Sequence, residues 1–381
     1  MTDVDLQNLG TININNQGSA GIYAENISSQ GSARSEVTNT TTGLIKVEGE
    51  SSVGIIGKKS KITNLGTGTT KGIEVKAIKS AGILGNTASD VTNSGRILLE
   101  TTVANSTDGL VGISADQTST VTNDTNGIIE IKADYSSGIS SKGGLAKNDG
   151  KIELGESSTG IYGVYRADTD SLTGVTNTVK VDTTATSSIS LGTGSTGMYL
   201  VNAEKLNTAA GGTIESDTGA TKNVGIYAIN GKVDVPTTGT PEEIAEANAY
   251  NGNQNNFKSL TMTNNSNITL GNGSVGIYTR GQSDTARNTV TNEGNITVGD
   301  TLTGAPAVGI YAENTNLTQG DTGTPNITVG KEGIALYGKN STITAKGTVN
   351  YSNKGILGYF ENSTFTSHYG DLTAHQNTIL F

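Results

Sequence analysis

A three-residue signature, Gly-Ile-Tyr or a close variant, returns at near-regular intervals along this chain. It reads Gly21-Ile22-Tyr23, Gly54-Ile55-Ile56, Gly82-Ile83-Leu84, Gly112-Ile113-Ser114, Gly138-Ile139-Ser140 and Gly160-Ile161-Tyr162. It continues as Gly197-Met198-Tyr199, Gly225-Ile226-Tyr227, Gly276-Ile277-Tyr278, Gly309-Ile310-Tyr311, Gly333-Ile334-Ala335 and Gly355-Ile356-Leu357. The spacing averages about 30 residues and shrinks to about 22, and a period in this range marks one supersecondary unit stacked on its neighbours.

Two further pieces recur within each repeat. One is Val37-Thr38-Asn39, seen again as Ile62-Thr63-Asn64, Val91-Thr92-Asn93, Val121-Thr122-Asn123, Val175-Thr176-Asn177 and Val290-Thr291-Asn292. The other is a short alternating run such as Ile45-Lys46-Val47, Ile73-Glu74-Val75, Ile152-Glu153-Leu154, Ile268-Thr269-Leu270 or Ile327-Thr328-Val329. Apolar residues at every second position mark a strand buried on one face. Three short strands closed by tight turns make one coil of a solenoid. A single coil cannot bury its inward Ile and Val, but neighbouring coils cover one another. The expected fold is therefore all-β, a right-handed parallel β-helix of about twelve coils. At roughly 4.8 Å per coil it would form a rod on the order of 55 Å long. Asparagines at the turns tolerate left-handed backbone and can stack into ladders. A propeller is disfavoured, because its blades need about 40 residues or more.

Hydrophobic residues are 33% of the chain, aromatic residues 4%, and there are 52 glycines. That apolar share is low for a globular domain, yet the alternation places the few apolar residues where a narrow core needs them. One elongated domain over residues 1–381 is expected, with insertions at about 165–172 and 236–257. In the second insertion, Pro236 is followed by Thr240-Pro241-Glu242-Glu243, a helix start, and Ile244 to Tyr250 can supply about two turns.

The chain has no cysteine, which excludes disulfides and thiolate zinc sites. Such a chain suits threading through a membrane pore, and a general bias to small residues would give the same result. A net charge of −10 argues against nucleic acid and against docking on anionic lipid. No apolar run is long enough for a transmembrane helix. Met1-Thr2-Asp3-Val4-Asp5 lacks the basic and apolar regions of a secretory signal. Either a cytosolic chain or an internal fragment carrying a start methionine fits this, and a repeat running nearly end to end favours the fragment.

Gly21-Ile22-Tyr23-Ala24-Glu25-Asn26 and Val308-Gly309-Ile310-Tyr311-Ala312-Glu313-Asn314, with the interleaved Val-Thr-Asn and alternating runs, resemble the passenger domains of fusobacterial type V autotransporter adhesins. The resemblance spans about Leu6 to Leu357. It implies a β-helix displayed at the outer membrane and cell surface, partnered by a host-cell protein or glycan or by another bacterium's surface. In that family a signal peptide and a membrane barrel flank the passenger, and neither is visible here. The resemblance transfers no binding residue.

The carboxylates Glu25, Glu74, Glu100, Glu130, Glu153 and Glu215 are scattered, and several alternate with apolar strand residues, which reads as a solvated outer face. Asp168 and Asp170, near Arg166, form the tightest acidic pair, on a loop. His368 and His375 stand near the C-terminal end without a Ser or Cys motif, and a metal site would need further ligands. Gly192-Thr193-Gly194 is a turn, because no helix follows it. No enzyme, cofactor or metal site is expected. The alternative is a polysaccharide-active β-helix enzyme, which a groove gathering at least two carboxylates with a basic residue would favour. A pure stalk, with the binding site elsewhere in a longer protein, is a third reading.

The tyrosines are the main binding candidates. The middle residue of the signature is always Ile or Met, while the third varies, so the middle faces the core and the third faces out. Tyr162, Tyr199, Tyr227, Tyr278 and Tyr311 hold that outward position in five successive repeats. In register they would form an exposed ladder about 20 Å long. Tyrosine is also simply a good strand residue and cross-strand stacker. The functional reading is a platform for sugar rings or a partner. Tyr250, in the second insertion, is the other candidate, because loops protruding from solenoids commonly carry recognition.

Overall fold

Strands of three to six residues have little to pair with along their own length, so they gain their hydrogen bonds and cover sideways, from the next coil. The computed structural model describes residues 5–26, 35–68, 70–101, 109–116, 118–166, 178–235, 241–351 and 354–368. A coil consists of three strands, as in Ser35–Asn39, Leu44–Val47 and Val53–Lys58. Each strand pairs in parallel with its counterpart one coil away, giving three parallel sheets. The fold is a right-handed parallel β-helix with only 4% helix.

Two compact units make up the chain: Met1–Gly163 with Val175–Ser195, and Val164–Gly174 with Thr196–Phe381. In the first, the second sheet stacks Ile45, Ile73, Ile97, Ile129, Ile152 and Ile189 in register, and each is 0% exposed. In the second, Ile214, Ile268, Ile296 and Ile327 stack the same way and are at most 1% exposed. Full burial of one such side chain is worth about 1.5–3 kcal/mol over leaving it exposed. β-Branched side chains also fit a pleated surface at little rotamer cost. The inward Ile and Val of the alternating runs are thus what closes each coil onto the next.

The signature glycine is fixed by close approach. A Cβ at Gly82 would lie 2.7 Å from the Gly112 carbonyl oxygen, and one at Gly276 would lie 2.5 Å from that of Gly309. The corner from the third sheet to the first turns on one left-handed residue, such as Lys59 (φ 51°), Asn202 (52°), Asn314 (47°), Asn340 (50°) or Asn362 (48°). Asparagine accepts this conformation more readily than most residues, because its short side chain can hydrogen-bond locally.

The last two signatures need correcting. Register pairs Ile310 with Leu336 and Tyr311 with Tyr337, and then Leu336 with Gly358 and Tyr337 with Tyr359. The structural repeats are therefore Ala335-Leu336-Tyr337 and Leu357-Gly358-Tyr359, each two residues beyond the expected Gly333-Ile334-Ala335 and Gly355-Ile356-Leu357. Gly333 is a turn glycine whose N–H donates to the Gly330 carbonyl at 3.2 Å. Ala335 and Leu357 face inward, at 0% and 1% exposure.

Asparagines ending the first-sheet strands form a buried column in the first unit. Each Nδ2 donates to the next Oδ1, from Asn8 through Asn39, Asn64, Asn93 and Asn123 to Asn148, at 2.7–2.8 Å. Asn148 then donates to Ser187 Oγ at 2.8 Å. In the second unit the column is shorter and mixed: Thr208 donates to Asn264, Asn264 to Asn292, and Asn292 to Gln319.

The insertion after Ile229 holds a helix, Pro241–Gly252, followed by a 3-10 turn, Gln254–Asn256. Proline at the first helical position sacrifices no hydrogen bond. Thr240 and the residues 167–172 of the first insertion lie outside the described residues, as do Asp168, Asp170 and Val175-Thr176-Asn177.

Candidate functional site

Ile226, Ile277 and Ile310 point into the core at 0% exposure, so the following residue points outward. In-register pairing then superposes like on like. Tyr199, Tyr227, Tyr278, Tyr311, Tyr337 and Tyr359 stack with successive ring centroids 4.9, 4.8, 4.6, 4.5 and 5.2 Å apart. Adjacent ring planes differ by 7–21°, so the column has the strand spacing itself. This geometry has a chemical consequence. From Tyr227 to Tyr337 both faces of each ring are covered by neighbours, and what these rings present to solvent is a row of phenolic edges and hydroxyls.

The stack shields its own phenols. Burial first, then the neighbouring Tyr227 phenol, pushes Tyr278 up to about 12. Burial is also the leading cause that raises Tyr227, Tyr311 and Tyr337 above the usual tyrosine range. Beside the rings, two residues further along each strand, register aligns Arg280, Glu313, Lys339 and Glu361. Their signs alternate. Glu313 is held between the Tyr311 hydroxyl, which donates to it at 3.2 Å, and Lys339 Nζ at 3.3 Å.

Of the sequence candidates, Tyr199, Tyr227, Tyr278 and Tyr311 are brought together. Tyr162 occupies the same position on a strand of the first unit, in register with Ser140. Tyr337 and Tyr359 complete the column; the signature does not mark them, because Ala335 and Leu357 stand where its glycine would be. Tyr250 is placed elsewhere. It is 7% exposed, its hydroxyl donates to the Tyr165 carbonyl at 2.7 Å and accepts from Asn202 Nδ2 at 2.9 Å. Lys258 Nζ stands 4.7 Å over the Tyr165 ring. Tyr250 thus anchors the inserted helix onto the coils.

Where the column's charged flank meets the insertion, a cleft of about 460 Å³ opens. Its walls include Lys232, Asp234, Phe257, Arg280, Gln282 and Glu313. Arg280 Nη2 donates to the Lys232 carbonyl at 3.2 Å and Nη1 lies 3.5 Å from Asp234 Oδ1. The insertion fixes the facing wall, because Asn251 accepts from the Val233 N–H at 2.8 Å and donates to the Val233 carbonyl at 2.9 Å. The cleft therefore gathers two carboxylates with two basic side chains, a constellation not visible in the sequence because its members are some 80 residues apart.

The scattered carboxylates do not converge on it. Glu25 pairs with Lys58 at 2.9 Å, Glu130 with Arg96 at 2.8 Å and Lys132 at 3.1 Å, and Glu153 with Lys151. Glu74 departs from the solvated reading, being 8% exposed with Lys76 at 3.6 Å. His368 is exposed, its N–H donating to Ala345 at the sheet edge, and His375 lies outside the described residues. Among the described residues no three His, Cys, Asp or Glu side chains cluster as metal ligands, and no helix is long and apolar enough to cross a membrane.

Compared with protein-family models, curated proteins and solved structures, the chain matches none.

Proposed function

We infer that this chain is a non-catalytic, surface-displayed adhesin segment, a passenger of the autotransporter type. Its second unit meets a host cell or another bacterium through the outer face of the third sheet. One observation carries this reading: the outward position that the core leaves unconstrained is tyrosine in all six coils from Tyr199 to Tyr359. Tyrosine concentrates where one end of a side chain is apolar and the other wet, as at protein interfaces. The inserted helix and the alternating charges border the same face. The test is binding of the purified protein to host cells and partner bacteria, with Tyr227, Tyr278 and Tyr311 all changed to Phe, and separately all to Ser. Loss of binding with Ser is expected, and loss with Phe as well would assign it to the hydroxyl row. Full binding by a folded Ser variant would refute the reading.

A second reading has its own observation. Asp234 and Glu313 with Arg280 and Lys232 in one groove meet the condition stated for a polysaccharide-active enzyme. It ranks second because Asp234 stays 83% exposed and both Glu313 oxygens are engaged, one by Tyr311 and one by Lys339. A glycosidase acid, by contrast, works from a desolvated carboxyl. Release of reducing ends or unsaturated uronates from a polysaccharide panel, abolished by Glu313→Gln, would reverse the ranking.

A further inference from the structure

We propose that the cleft beside Arg280 binds a neutral saccharide of about one to three sugar rings, a size suited to a pocket of a few hundred Å³. This rests on the reading of the second unit as a contact surface and adds the ligand's chemistry. The charges lining the cleft cancel, Lys232 and Arg280 against Asp234 and Glu313. An anionic ligand meets two carboxylates there, and a cationic one meets a guanidinium and an ammonium. A hydroxyl group suits both signs, because it donates and accepts at once. Amides such as Gln282 add further groups with the same double capacity. Phe257 supplies the apolar surface against which the C–H face of a sugar ring can rest.

One polar group and one stretch of wall are set in place before a ligand arrives. Arg280 keeps only 22% of its side chain exposed and is tethered to the Lys232 carbonyl at 3.2 Å. Asn251 clamps Val233, between Lys232 and Asp234, by both its N–H and its carbonyl. Fixed groups lose less freedom on binding, so more of each hydrogen bond appears as affinity. Tyr278 lies two residues before Arg280 on the same strand, and so on the same face. The hydroxyl row thus runs up to the cleft, and a chain of sugars could continue from one to the other.

The test is calorimetric titration and saturation-transfer NMR of the whole protein. The probes are lactose, N,N′-diacetylchitobiose and maltotriose as neutral ligands, oligogalacturonate as anionic and chitosan oligomers as cationic. Binding of at least one neutral probe is expected, with Arg280→Ala weakening it about tenfold or more through loss of charge-assisted hydrogen bonds. Asn251→Ala should weaken it less, by loosening one wall. If Arg280→Ala disturbs the fold, judged by circular dichroism, Gln282→Ala and Asp234→Asn on the exposed rim carry the same test. Failure of every neutral probe, preference for the charged ones, or binding undiminished by the cleft variants would overturn the proposal. Cell adhesion that survives Arg280→Ala while still depending on the tyrosine column would sink the cleft and leave the adhesin reading intact.

Discussion

The two units are built from the same kind of coil but place their regularity on opposite sides of the wall. At the outward position of the third sheet the first unit carries Tyr23, Ile56, Leu84, Ser114, Ser140 and Tyr162, in register. The second carries tyrosine in every coil. Inside the first-sheet corner the relation reverses, with six asparagines in the first unit and Thr208, Asn264, Asn292 and Gln319 in the second. A buried amide column cannot be interrupted cheaply, because each amide is satisfied by the next. An outer column can be interrupted, and the first unit is folded without one. The unbroken run of tyrosines is therefore more than the fold requires, which is why it, and not the asparagines, points to function.

The largest expected effect breaks the inner column. Asn93→Ala strands the Asn64 donor and the Asn123 acceptor and should cost about 2–3 kcal/mol in urea unfolding, the range for orphaned buried groups. Asn292→Ala should cost no more, since the second unit already accepts Thr and Gln in its column. Next comes the outer column. Tyr278→Ala removes two ring contacts, worth together about 1–3 kcal/mol. Ser140→Tyr, in register with Tyr162, should stabilise the first unit by about 0.5–1.5 kcal/mol if stacking follows from geometry alone. A destabilised Ser140→Tyr protein would mean that the second unit's outer face is specially shaped for tyrosine.

Smaller still is a pH effect confined to alkali. Tyr278 is raised from 10.0 to about 12, so the native state holds its proton after the unfolded chain has lost it. That contribution to stability is complete below pH 10 and is lost as pH rises through about 12. Absorbance titration should show a late-ionising class of phenols, diminished in Tyr278→Phe. The smallest effect separates two look-alike sites. Tyr23 and Tyr311 both donate to a glutamate two residues on, at 2.6 and 3.2 Å. The Tyr23 phenol is raised chiefly by that hydrogen bond and the Tyr311 phenol chiefly by burial. Glu25→Gln should bring Tyr23 back toward its ordinary range, while Glu313→Gln should move Tyr311 less, with little change of stability in the half-exposed Glu25 variant.

Local alternation and the repeat made the coil legible in the sequence, because inward Ile and outward polar residues follow strand geometry directly. The outward column was legible wherever the close-approach glycine preceded it. It was lost at Tyr337 and Tyr359, where Ala335 and Leu357 stand in that glycine's place and turn glycines lie two residues earlier. Helix formation after Pro241 was readable from its start signal. The burial of Tyr250 was not, since it depends on Tyr165 and Asn202, which lie far away in sequence. The cleft was invisible for the same reason: Asp234, Arg280 and Glu313 come from three successive coils, and no local pattern marks them.

The amide column of the first unit has a direction. From Asn8 to Asn148 every side chain donates toward the later coil, and from Asn39 onward each also accepts from the earlier one. Group dipoles aligned head to tail add, as peptide dipoles do along a helix, and polarise one another in a low-dielectric interior. The side-chain amides of this column therefore add their dipoles along it, with the positive, donor end toward Asn148. Each coil presents an oriented donor to the following coil and an oriented acceptor to the preceding one, so a coil added on either side meets an amide already aimed at it.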